Sequence, residues 1–278
     1  MTQTFPIVET EFTFIDAPQD GEPAFAYAYP HDPQKNTLES VHPHRVHDIR
    51  GHESEFSLDK QGFQFHRHTS AMTDFSDQDK IKAEYYPEVE NLLKSVTGAH
   101  RVVVFDHQVR LHVYGQGEGS TNNGKRGPVT KVHVDQSPKG GINRVKMHMG
   151  DEAEELLKER VQIINVWRPI DGPVEECPLA VSDFRSLDFN RDLVPVAVRY
   201  PEPEKVGEIF GVKYSERIEF YYKSLMDIDE VILIKCFETK TDGRARLSAH
   251  AAFVDPTSPE NARPRESIEV RALVFTHE

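Results

Sequence analysis

The sequence predicts a mainly β fold with flanking helices, closed into a barrel or jelly roll. Beyond residue 100, about eight segments rich in Val, Ile and aromatic residues alternate with the period of a strand, as in "RVVVFDHQVRLHVY" and "DEVILIKCF". The connections between them are irregular, and no regular βαβ alternation of the kind that builds a parallel sheet runs through the chain. Strands without crossover helices must bury their apolar faces against one another, which a closed or two-layered antiparallel sheet achieves.

Residues 1–75 carry scattered Pro, Gly and His with little periodicity, as in "YPHDPQKNTLESVHPHRVHDIRGHES". They are expected to be irregular arms and short strands that wrap the core or cover it as a lid. A helical stretch is predicted over 76–98. Ser76 is its expected N-cap with Asp79 three residues on, Ile81, Tyr85, Val89, Leu92, Leu93 and Val96 recur at helical spacing, and Gly98 ends it. Pro87 has no N–H for an i→i−4 bond, so it should kink this helix or restart it. The β core is expected over 99–278, the whole of 1–278 forming a single domain. Its strands are "RVVVFDHQVRLHVY", "PVTKVHVD", "VQIINVW", "PLAVSDF", "GEIFGVKY", "DEVILIKCF", "LSAHAAFV" and "SIEVRALVF". A short helix fits "DEAEELLKER", and the turn-rich loop 115–128 is expected over the mouth of the site.

Composition narrows the function. With 37% hydrophobic and 28% charged residues the chain can bury a core, and no apolar run approaches the roughly 20 residues that span a bilayer, so no membrane span is expected. The formal charge of −13, from 46 acids and 33 bases, would repel a phosphate backbone, so nucleic acid is not an expected partner. The start, "MTQTFPIVETEFTFIDAPQD", lacks the basic and apolar regions of a signal peptide, and Cys177 and Cys236 are too few and too far apart for a disulfide framework. A cytoplasmic protein is the expectation.

In "KVHVDQSP", residues 131–138, the alternation of an extended strand puts His133 and Asp135 on one face. An imidazole nitrogen and a carboxylate oxygen at i and i+2 can converge on one small cation. A third ligand must come from a strand distant in sequence. The best candidate is His250 in "LSAHAAFVDP", 115 residues after Asp135, with His148 as the alternative. Two histidines and one carboxylate on one side of a metal leave the other side open, the arrangement used by non-haem Fe(II) oxygenases. In "RPRESIEVR", Arg265 and Ser267 share a strand face, where a guanidinium and a hydroxyl would together grip a carboxylate. Arg271 stands on the same alternating face and is the alternative clamp.

These residues, with "YYPEVENLLKSVTGAHRVVVFDHQVR", "QIINVWRPIDGPVEECPLAVSD" and "DGRARLSAHAAFVDPTSPENARPRESIEVRAL", resemble the fungal Fe(II)/2-oxoglutarate-dependent hydroxylase/desaturase family, whose members include a gibberellin desaturase and a protein of cephamycin methoxylation. The resemblance covers roughly residues 40–278. It implies a double-stranded β-helix, a cupin-like jelly roll, with Fe(II) on His133, Asp135 and His250 and 2-oxoglutarate on Arg265 and Ser267. It also implies O2 as co-substrate, release of succinate and CO2, and oxidation of a small organic substrate, a secondary metabolite, by hydroxylation, desaturation or a related step.

Asn165 and Trp167 share a face of "VQIINVW" that begins apolar and ends with an amide and the chain's single tryptophan. They are read either as buried wall residues or as contacts, Asn165 to 2-oxoglutarate and Trp167 to substrate. Arg168 is read as a second carboxylate binder or a surface ion pair, and one of Tyr221 and Tyr222 is expected to face the substrate. "GSTNNGKR" nearly spells a phosphate loop but lacks its hydroxyl residue and its helix, so no nucleotide is expected. Two rival functions remain at this point: a non-catalytic partner subunit of such an oxygenase, and a cupin-like metal-binding protein that does not use 2-oxoglutarate. Self-association into a homo-oligomer is compatible with either.

Overall fold

The computed structural model describes residues 5–27, 35–111, 121–122, 125–200 and 206–278. The strands among them are β1 (Ile7–Asp16), β2 (Phe25–Tyr27), β3 (Leu38–Asp48), β4 (Phe63–Arg67), β5 (Arg101–Leu111), β6 (Thr121–Asn122), β7 (Lys125–Arg126) and β8 (His133–Val134). They continue with β9 (Arg160–Pro169), β10 (Leu179–Ser182), β11 (Leu193–Arg199), β12 (Val206–Val212), β13 (Phe220–Tyr222), β14 (Glu230–Glu238), β15 (His250–Ala252) and β16 (Glu266–Thr276). A nine-stranded sheet runs β1-β3-β13-β10-β15-β8-β12-β11-β2 and a seven-stranded sheet β4-β14-β9-β16-β5-β7-β6. One core cluster joins them, with Val134 and Val181 of the first sheet and Phe63, Ile163, Ile234 and Phe275 of the second. The result is the double-stranded β-helix expected from the sequence. Among the described residues no helix is long and apolar enough to cross a membrane.

All ten residues of β9 are buried, which explains why "VQIINVW" reads as nearly continuous apolar sequence. Its odd-numbered residues face the inside of the jelly roll, and Ile164 and Val166 face a second core. There Tyr85, Val89, Leu92 and Leu93 pack on the outer face of the seven-stranded sheet. The helix that carries them restarts at its proline as expected. A π-helical turn, Ile81–Tyr85, leads into Tyr86–Thr97 with Pro87 in the first turn. Gly98, at φ 70°, closes it by donating its N–H to the Lys94 carbonyl. The N-cap is Asp77 and not Ser76, because the Asp77 carboxylate accepts from the N–H groups of Asp79 and Lys80.

The N-terminal segment is more regular than its sequence suggests. β1 pairs with β3 from Ile7↔His47 to Asp16↔Leu38, and β3 continues into the sheet through Val46–Asp48 beside β13. It also wraps the core: Val132 N–H donates to the Thr13 carbonyl, and Phe12 packs on Phe220 and Phe253 with ring centroids 4.7 and 6.0 Å away. Pro43 disguised β3 and Pro195 disguised β11. Each proline is paired on one side only, because β13 reaches only Val46–Asp48 and β2 only Ala197–Arg199. A missing N–H costs no ladder bond at such an edge.

Around "KVHVDQSP" the strand shrinks to His133–Val134, with Lys131 bridged to Thr13. The chain then enters a twelve-residue helix, Pro138–Met149, that the sequence pattern does not predict. The expected helix at "DEAEELLKER" is only Ala153–Leu156, after a 3-10 turn over Gly150–Glu152. Of the loop 115–128, residues 115–120 and 123–124 lie outside the described residues.

Candidate metal and carboxylate site

β8 and β15 are hydrogen-bonded neighbours, and their register sets His133 directly opposite His250. The two rings stand 4.5 Å apart between centroids. Asp135, two residues past His133, brings its Oδ1 to 3.4 Å from His133 Nε2. One ligand atom from each of His133, Asp135 and His250 lies within 4.8 Å of the others. His148 is elsewhere, its ring stacked on Phe105 at 4.8 Å.

Each histidine is held by the backbone. His133 Nδ1–H donates to the Lys131 carbonyl at 2.8 Å and His250 Nδ1–H to the Ser248 carbonyl at 3.2 Å, which turns both Nε2 atoms into the site. Burial lowers the His133 pKa, but its hydrogen bond to Asp135 outweighs this and raises it, so a cation binding there displaces the Nε2 proton of that ring. Burial, then the neighbouring His133, pushes the His250 imidazolium form down, favouring the neutral ring that ligates. Asp135 Oδ2 accepts from Arg271 Nε and from Asn165 Nδ2, both at 2.8 Å. Burial opposes its ionisation, but the Arg271 charge and the His133 hydrogen bond win and hold the carboxyl well below the usual range. Oδ1 is therefore turned toward the histidines as a charged donor.

β16 supplies the adjoining wall. Its helix-facing residues Ile268, Val270, Ala272 and Val274 are apolar, so alternation turns Ser267, Glu269 and Arg271 inward, with Arg265 just before the strand. A small pocket is lined by His133, His250, Trp167, Arg265, Arg110 and Glu269, together with Val129, Leu179, Ala251 and Ala252. Arg265 is 3% exposed; its Nη1 donates to the Cys177 carbonyl at 2.6 Å, its guanidinium carbon lies 5.5 Å from the Trp167 ring centroid, and its Nε has no hydrogen-bond partner. Burial, followed by the like charge of Arg110, pushes its pKa down to about 10, so it is still a cation at neutral pH. Ser267, 1% exposed, also has an unpartnered hydroxyl. Buried polar atoms are almost always bonded, and leaving one bare costs about 1–3 kcal/mol, so these two donors fit a carboxylate that completes them.

Several expected contacts fall elsewhere. Asn165 is fully buried with its amide on Asp135, so it supports a candidate ligand and does not line the pocket. Arg271 is saturated by Asp135, Asp106 and Glu269 at 2.6–2.8 Å, so of the two expected clamps Arg265 is the one able to take a further carboxylate. Arg168 lies on the helix-facing side of β9, bonded to the Ile228 and His68 carbonyls and stacked 5.3 Å from Tyr85. The register places Val181 between His250 and Tyr221, so Tyr221 shares their face but stands two strands away, its hydroxyl on Glu219. Tyr222 alternates to the opposite face, edge-on to Phe253. Two charged pocket residues, Glu269 and Arg110, were not expected from the sequence. Glu269 lies between Ser267 and Arg271 in the same alternation, so parity alone finds it, whereas Arg110 is revealed only by its pairing with Ser267 across β5 and β16.

Comparison with known proteins agrees with this architecture. A family model described as an oxidoreductase/YMDC permease-like domain matches residues 12–275. The hydroxylase/desaturase efuI of Hormonema carpetanum is 37% identical over 85% of this chain and 84% of its own. The hydroxylase/desaturase CTB9 of Cercospora beticola is 34% identical over 97% and 87%. A solved structure of the iron and alpha-ketoglutarate-dependent endoperoxidase NvfI superposes with a TM-score of 0.87 at 32% identity, covering all of both chains.

Proposed function

We infer the chemistry of the pocket from one premise: the chain belongs to the fungal Fe(II)/2-oxoglutarate-dependent hydroxylase/desaturase family, enzymes that take Fe(II), 2-oxoglutarate and O2. His133, Asp135 and His250 hold the iron, and Arg265 with Ser267 binds the far carboxylate of 2-oxoglutarate. The observation that carries this reading is the pairing, in one pocket, of a two-histidine, one-carboxylate donor set with two buried donors that have no protein partner.

The iron centre supplies the oxidising power, coupling the conversion of 2-oxoglutarate and O2 to succinate and CO2 with oxidation of the organic substrate. The protein's own residues supply position. The Lys131 and Ser248 carbonyls fix the tautomer and tilt of the two imidazoles. Arg271 and Asn165 hold Asp135 Oδ2 and so aim Oδ1. Protonated Arg265, stacked on Trp167, offers a charge-assisted bond that Ser267 complements. Apolar Val129 and Leu179 exclude water from the same wall. The substrate in this reading is a small organic molecule of secondary metabolism. The compartment is the cytoplasm, where cysteines outside disulfides such as Cys177 and Cys236 persist.

The test is succinate release. The purified chain with Fe(II), 2-oxoglutarate and O2 should form succinate slowly even without substrate, and His133→Ala, Asp135→Ala and His250→Ala should each abolish it. Wild-type succinate formation by the His250 variant would remove that residue from the set.

A further inference from the structure

A second set of metal-binding side chains stands at one end of the seven-stranded sheet, away from the pocket. His100 immediately precedes β5, Glu159 precedes β9, and His277 comes directly after β16. β16 lies between the other two strands. Its last residues pair with both, Phe275 with Arg101 and Val161 and Thr276 with Arg160, so the three donors are carried on adjacent ladder ends. His100 is tied in further by its N–H to the Phe275 carbonyl at 3.1 Å. His100 Nε2 is 2.6 Å from Glu159 Oε2, and His277 Nδ1 is 3.4 Å from Glu159 Oε1. The two rings are stacked, with centroids 3.8 Å apart and an interplanar angle of 5°. One ligand atom from each residue lies within 4.8 Å of the others.

We propose that His100, Glu159 and His277 form a peripheral site for a divalent cation of the zinc class, distinct from the pocket of His133, Asp135 and His250. Two imidazoles and one carboxylate suit Zn(II), Ni(II) or Cu(II), whereas Mg(II) and Ca(II) prefer oxygen-only shells. The side chains are 30%, 26% and 72% exposed in chain order, so the ion reaches them from solvent and water completes its coordination. Because the ligands sit on the ends of β5, β9 and β16, the bound ion ties three adjacent strands together and stabilises the folded chain by mass action.

The experiment titrates the metal-free full chain with Zn(II) alone, in competition with a chromophoric chelator. His277→Ala changes a largely exposed side chain and should leave the fold intact, yet it should remove one bound equivalent or weaken it at least tenfold. His100→Ala should do the same. In a His250→Ala chain the peripheral equivalent should persist, and Zn(II) should raise its melting temperature until His277→Ala is added. If His277→Ala and His100→Ala bind the same number of equivalents as the unaltered chain with unchanged affinity, the cluster is an ion pair between Glu159 and two histidines and the proposal falls.

Discussion

Arg265 and Arg271 lie on one alternating face, yet their surroundings give them opposite energetics. Arg271 is balanced by three carboxylates, Asp135, Asp106 and Glu269. Removing it strands buried negative charge, so Arg271→Ala should lower stability by about 3–5 kcal/mol in urea denaturation of the metal-free chain. Arg265 has a carbonyl, an aromatic face and a bare Nε. Arg265→Met should leave the ligand-free chain as stable as before or more so, while raising the 2-oxoglutarate requirement roughly ten- to a hundredfold through loss of a charge-assisted bond worth about 1.5–3 kcal/mol. Equal loss of stability in both variants would show that Arg265 is a structural ion-pair partner. The sequence put both arginines on one face, because parity along a strand is written in the chain. It could not separate them, since two of the three carboxylates that saturate Arg271, Asp106 and Asp135, come from β5 and from the segment after β8, which only the sheet order brings close.

The short strand β8 is held in place by the helix Pro138–Met149 that comes just after it. Ser137 accepts the Gly140 N–H as N-cap of this helix and donates its own hydroxyl to Glu208 of β12 at 2.5 Å, while its N–H donates to the Glu208 carbonyl. Gly140 then passes so close to β12 that a Cβ there would collide with the Glu208 carbonyl oxygen. Gly140→Ala must push the helix start away from β12 and carry Asp135 with it. The expected result is a loss of about 1–3 kcal/mol in denaturation, as for overpacked sites, together with weaker Fe(II) binding; unchanged metal affinity would uncouple this helix from the site. The helix was hidden in the sequence by its paired glycines, which serve close approach to Glu208 and Phe237 and depress helical propensity. Its start was nonetheless marked, by Ser137 as cap and Pro138 in the first turn. The long strands β9 and β14 were legible because burial on both faces gave them nearly continuous apolar runs, and β16 because its helix-facing Ile268, Val270, Ala272 and Val274 recur with the period of a strand.

Across the whole molecule, the inside of the jelly roll changes character along its length. Val161, Ile163, Leu273 and Phe275 fill one end, and Asn165, Trp167, Glu269 and Ser267 occupy the other, where the nine-stranded sheet presents His133 and His250. The apolar end fixes the packing of the two sheets and thereby the distance between donor residues that are far apart in sequence. The N-terminal hairpin closes the outer face through Phe12, so its effect on the site is indirect. The central claim is that one pocket holds both a metal and the carboxylate co-substrate. Its most direct measurement is an anaerobic titration of the full chain with Fe(II) and 2-oxoglutarate, watched by visible absorption. A weak charge-transfer band should appear only when both are present, move to higher 2-oxoglutarate concentration in Arg265→Met, and be absent in His250→Ala. A band of full intensity in His250→Ala, or an identical 2-oxoglutarate titration in Arg265→Met, would contradict it.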